Sequence, residues 1–64
     1  MSRYVEINGP AHKGGQWDVG VYEIVRGKHL TVTGSTHWSK ADAEDDAERF
    51  RKYHSITSPT QYKR

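Results

Sequence analysis

Histidines, acids and hydroxyls are the side chains in this sequence with chemistry to offer. There are four histidines, His12, His29, His37 and His54, and no cysteine. No two of the histidines share a helix face, and a structural zinc site wants four convergent ligands, so no metal centre is expected. The lack of cysteine removes thiolate nucleophiles and disulfides together. His37 stands close to Ser39 and Asp42, a neighbourhood that N-cap hydrogen bonding explains as readily as catalysis. Gly9, Gly14 and Gly15 lack the Lys-Ser/Thr and helix that would follow in a phosphate loop. These residues predict a non-enzymatic protein without a cofactor.

Charge offers binding chemistry instead. Ten Lys/Arg stand against eight Asp/Glu, a net charge of +2, yet the two signs are segregated. From Asp42 to Glu48 five of seven residues are acidic, and from Arg49 to Arg64 there are five Lys/Arg and no acid. A helix would direct Asp42, Glu44, Asp45 and Glu48 outward, while Asp46 flanks the buried side. Such a face can imitate nucleic-acid phosphates and occupy a basic groove on a partner protein. The pairs Asp45/Arg49 and Glu48/Lys52, spaced i,i+4 with the acid first, support a solvated helix face equally. Tyr4 and Tyr22 add an aromatic patch of the type favoured as interface anchors. Trp38 is read as a lid over the helix start. The alternative is nucleic-acid binding through Lys13, Arg26, Lys28, His29, Arg49, Arg51 and Lys52, extended by Lys63 and Arg64.

The elements that must position these side chains follow from periodicity. Tyr4-Val5-Glu6-Ile7 alternates and stops at Asn8-Gly9-Pro10, predicting a short strand. The glycine-rich stretch 9–15 is a loop. Trp17, Val19 and Val21 then share one face of a second strand. The pattern slips at Glu23, Ile24 and Val25; either the alternation holds and Glu23 points inward, or a bulge near Tyr22-Glu23 returns Ile24 to the core. A glycine turn at Arg26-Gly27-Lys28 leads into His29-Leu30-Thr31-Val32-Thr33, making strands two and three a hairpin. Ser39 caps a helix with Asp42 at the capping-box position, acids early and Arg49, Arg51 and Lys52 late. Ala43, Ala47 and Phe50 form its apolar stripe. The expected fold is α+β: a three-stranded antiparallel sheet followed by one C-terminal helix on one face (βββα). Its core would comprise Val5, Ile7, Trp17, Val19, Val21, Leu30, Val32, Ala43, Ala47 and Phe50.

The hairpin turn Gly27-Lys28 and the helix opening Ser39-Lys40-Ala41-Asp42-Ala43-Glu44 resemble those of small sheet-plus-helix families. Among these are the arm-binding domains of tyrosine integrases and the YegP-like bacterial domains, over roughly residues 16–53. The integrase likeness implies that the three-stranded sheet enters a DNA major groove. Contacts would then come from Tyr4, Glu6, Asp18, Tyr22, Arg26, His29, Thr31 and Thr33, with Lys13 and Lys28 in loops. Glu6 and Asp18 would there meet phosphates, and the family's strongly basic arm has no counterpart. In size and acidic helix the chain is also similar to small phage-encoded inhibitors, anti-CRISPR proteins among them.

Length bounds the rest. At 64 residues a chain buries only about 60% of its unfolded surface, which leaves little core for an enzyme-sized cleft. The expected organisation is one domain over 1–54 and a polar, basic, flexible tail over 55–64, unless Ile56 and Tyr62 dock. No apolar run approaches the roughly 20 residues of a membrane span and no leader-like segment follows Met1, so a cytoplasmic protein is expected. The expected partner is a protein, of the nucleic-acid-binding kind if the acids mimic phosphates. An exposed strand edge also admits a homodimer.

Overall fold

The computed structural model describes residues 2–63. Strands β1 (Ser2–Asn8), β2 (Trp17–Val25) and β3 (Lys28–His37) precede helix α1 (Lys40–Tyr53), and β4 (Gln61–Lys63) follows it. The sheet order is β3-β2-β1-β4, with β1, β2 and β3 antiparallel and β4 parallel to β1. The fold is α+β with one helix, and the sheet has four strands, not the three expected. The additional strand is short and polar, so no alternation announces it; backbone pairing of Glu6, Ile7 and Asn8 with Gln61, Tyr62 and Lys63 creates it. Among the described residues, no helix is long and apolar enough to cross a membrane.

Direct pairing of Val5 with Val21 and Ile7 with Val19 brings four branched side chains to one face. They are buried with Ala43, Ala47 and Ile56, while Trp17 and Phe50 pack against the cluster half-buried. The two helix alanines let the backbones approach closely. Burial of each large apolar side chain is worth about 1.5–3 kcal/mol, so these few residues dominate stability.

The hairpin turns through Arg26-Gly27, with φ of 53° and 80°, closed by the Val25–Lys28 pair. Two positive φ values make a two-residue turn of the twist that hairpins favour. The ladder shift lies on β3: Val21 pairs with Thr33 and Tyr22 with Thr31, so Val32 is the bulged residue. β2 therefore runs unbroken against β1. Ile24 stays on the open face, and Glu23 turns to the helix side, where Arg3 lies 3.9 Å away.

The bulge and the path of the helix change the sides and burial expected on β3. Thr33, expected on the open face, sits opposite buried Val21 on the helix side. Leu30 and Val32, expected in the core, are 50% and 40% exposed. The helix crosses the sheet obliquely, its middle at Ser35 and His37 and its end at Arg3, which leaves the hairpin corner of β3 uncovered. Trp38 is 73% exposed and is not the lid over the helix start that was expected.

Ser39 takes the extended N-cap conformation and its hydroxyl accepts from the Asp42 N–H at 3.1 Å. At the other end Ile56 N–H donates to the Arg51 carbonyl (2.8 Å) and Ser55 N–H to that of Lys52 (3.3 Å). With Ser55 at φ 55°, this is a Schellman closure. It delivers Ile56 to the core, so the segment expected to be a tail unless Ile56 and Tyr62 dock is anchored three residues beyond the helix end.

Candidate functional site

The acidic helix and the open sheet face carry the residues singled out for partner binding, and the structure treats them differently. Asp46 points into the helix–sheet junction at β3. It accepts hydrogen bonds from the Ser35 hydroxyl and from His37 Nε2, the latter at 2.8 Å. Partial burial pushes this carboxyl up; the Ser35 and His37 hydrogen bonds with the charges of His37 and Arg49 outweigh that and hold it below its ordinary value. Ser35, His37 and Asp46 are not arranged as a catalytic relay. Ser35 Oγ and Asp46 both approach the same ring nitrogen, the former at 3.1 Å, whereas a relay needs base and orienter on opposite nitrogens.

Glu44 reaches the opposite flank, where its carboxylate accepts from the Tyr62 hydroxyl at 2.6 Å. That hydrogen bond is the main cause that raises the Tyr62 phenol above its ordinary value, with desolvation and the Glu44 charge adding to it. Residues 44 and 46 lie about 200° apart around a helix, so two acids of one run grip the two outer strands. Glu48 accepts from Arg51 Nη1 at 2.8 Å, and Arg51 Nη2 reaches the Thr57 carbonyl. Of the acidic face, Asp42 and Asp45 are exposed with no side-chain partner among the described residues.

The open face of the sheet is more ordered. Tyr4 and Tyr22, direct cross-strand partners, stack with ring centroids 5.3 Å apart and planes 25° from parallel. The Tyr4 hydroxyl bonds His29 Nδ1 at 2.7 Å, and the imidazole sits edge-on to the Tyr4 ring. Desolvation, then the Glu6 charge and Tyr22, raise the Tyr4 phenol above its ordinary value. Tyr22 lies over Gly20, where an added Cβ would come within 2.6 Å of the phenol oxygen. Gly20 pairs with Gly34 across the ladder, and the ring covers backbone that would otherwise be bare, as aromatics do over strand glycines. Ile24, Glu6, Gln61 and Lys63 border the cluster.

The basic residues of the nucleic-acid alternative do not share one face. Arg26 and Lys28 stand at the hairpin tip, His29 is bound to Tyr4, and Arg49 and Lys52 are exposed on α1. Arg51 is half-buried and engaged by Glu48 and Thr57. Lys13 lies at the far end of the sheet near Lys40 and Lys63; Arg64 lies outside the described residues. No three His, Cys, Asp or Glu side chains among the described residues are grouped to hold a metal ion.

No family model matches the chain, and no curated protein or solved structure matches it significantly.

Sequence reasoning missed Ser35, whose role depends on a contact eleven residues away, and Gly20, whose meaning depends on Tyr22. A signal existed for the latter: a glycine two residues before a tyrosine in a strand places the ring beside it.

Proposed function

We propose that this chain is a non-enzymatic binding protein that seats a partner protein on the uncovered face of its sheet, with Tyr4, Tyr22 and His29 as the anchor. The stacked, hydrogen-bonded cluster carries the reading. Side chains already held in one arrangement lose little rotamer freedom on docking, which is how aromatic anchors gain affinity. Asp42 and Asp45, exposed and unengaged, steer a basic partner toward the molecule and act mainly on the association rate. Function then consists of occluding the partner's surface.

The test is capture from a lysate with nuclease present, run in parallel on wild type, Tyr22→Ser and Asp42→Lys/Asp45→Lys. A stoichiometric protein should survive nuclease on the wild type and be lost on Tyr22→Ser, since an aromatic hot spot is worth about 2 kcal/mol or more. The double lysine variant should retain it with slower association. A captured protein indifferent to Tyr22 would remove the sheet face from the account.

A further inference from the structure

A second feature, at the opposite end of the sheet from the hairpin, has a different chemistry. The 9–16 loop, the end of β1, β4 and the first residue of α1 border an open cleft of about 590 Å³, within the range of small-molecule sites. Its lining includes Ile7, Pro10, Trp17 and Tyr62 as apolar surface. Lys13 and Lys40 line it from two separate segments, with His12 beside them, and Lys63 borders it from β4, where it alternates with Tyr62 and shares the open face with Glu6; no acid lines it. The other clefts balance their charge, one with Arg3 and Glu23, the other with Lys63 and Glu6.

None of the three lysines forms an ion pair among the described residues. Glu44, one helical turn from Lys40, accepts from the Tyr62 hydroxyl, pairs with none of the three lysines and keeps its charge. Lys13 is presented by a turn in which Gly15 N–H bonds the His12 carbonyl at 3.1 Å, with Gly14 at φ 83°. Lys40 sits 5.7 Å from the centre of the Tyr62 ring, a cation–π contact that keeps it at the rim. Like charges bordering one cleft repel one another, and an anion seated between them relieves that cost.

We propose that this cleft binds a nucleoside phosphate unit, its phosphate between Lys13 and Lys40 and its base against Trp17. A bare inorganic anion would satisfy the lysines and leave the apolar floor unmatched. A phosphate monoester carries about −1.5 to −2 charge at pH 7, and a base offers the flat face that aromatic side chains accept whatever its sequence. A free nucleotide and a nucleotide within a single strand present this same chemistry. Of the residues lining the site, Lys63 alone also borders the Tyr4–Tyr22 face.

The experiment uses the intact chain carrying Trp38→Phe, so that Trp17 alone reports by fluorescence. Adenosine monophosphate, inorganic phosphate and a short single-stranded oligonucleotide are titrated separately. Saturable quenching by the nucleotide is expected, with inorganic phosphate at least about tenfold weaker because it lacks the stacking base. Lys13→Gln/Lys40→Gln, its fold checked by circular dichroism, should weaken nucleotide binding about five- to tenfold, as two exposed charge contacts would. Tighter binding of the oligonucleotide than of the monophosphate assigns the unit to a strand, and the reverse assigns it to a free nucleotide. No saturable quenching by either, equal affinity of phosphate and nucleotide, or a double variant that binds as well as its parent overturns the proposal.

Discussion

Arg26 and Ser55 both hold the left-handed backbone region, at φ 53° and 55°, where a residue with a Cβ pays about 1–2 kcal/mol. Ser55 is exposed and occupies the position after the helix cap where glycine is the usual residue. Ser55→Gly should therefore raise the unfolding free energy by about 0.5–1 kcal/mol, seen as a higher urea midpoint at constant slope. A lower midpoint would show that the serine side chain contributes more than its backbone strain removes. At Gly20 the opposite holds. A Cβ there meets the Tyr22 ring at 2.6–2.8 Å, and the ring can move only by abandoning its stack on Tyr4. Gly20→Ala should disperse the Tyr4 and Tyr22 aromatic resonances from their stacked positions in NMR spectra while the buried valine methyls on the other face stay in place.

The bulge on β3 decides which apolar residues of that strand matter. With Val32 unpaired and the helix crossing elsewhere, Leu30→Thr and Val32→Thr should each change stability by about 0.5 kcal/mol or less, as exposed positions do. Were either side chain in the core, loss of its methyl groups would cost about 1–3 kcal/mol, and chemical denaturation separates the two cases. Ile56→Ala, by contrast, removes a buried side chain and the apolar contact that accompanies the helix closure, and should cost about 2–4 kcal/mol. The contrast marks what the sequence makes legible. Val5, Ile7, Val19 and Val21 announce themselves by strict alternation, and Ser39 by its position before an acid-rich helix. Leu30 and Val32 alternate just as well, but the bulge at Val32 is set by pairing with β2, and the exposure of Leu30, which lies opposite Glu23 on the helix side, by where the helix crosses, and no window of sequence contains either. β4 is equally silent, since its three exposed residues gain their strand from β1. The Tyr4–Tyr22 pair was legible as two open-face residues; their stacking required the register.

For the molecule as a whole, one helix must hold a sheet of four strands, and its buried stripe contacts mainly the central two. The outer strands are held by polar reach: Asp46 to Ser35 and His37 on β3, Glu44 to Tyr62 on β4. This gives the acidic run a structural reason that helix propensity alone does not supply, and it ties stability to pH at both ends. The Asp46 carboxyl lies below its ordinary 3.8 when folded, so its contribution is complete above that value and is lost as pH falls through the lower folded one. The Tyr62 phenol lies above its ordinary 10.0, so its contribution is complete below that value and is lost as pH rises through the higher folded one. Thermal unfolding of wild type should show a plateau with an acid and an alkaline limb. Asp46→Asn should lower the plateau and flatten the acid limb alone, and Tyr62→Phe should do the same at the alkaline limb. A variant that lowers the plateau but leaves its own limb as steep as in wild type would mean that packing, and not the ionised clasp, holds that edge of the sheet.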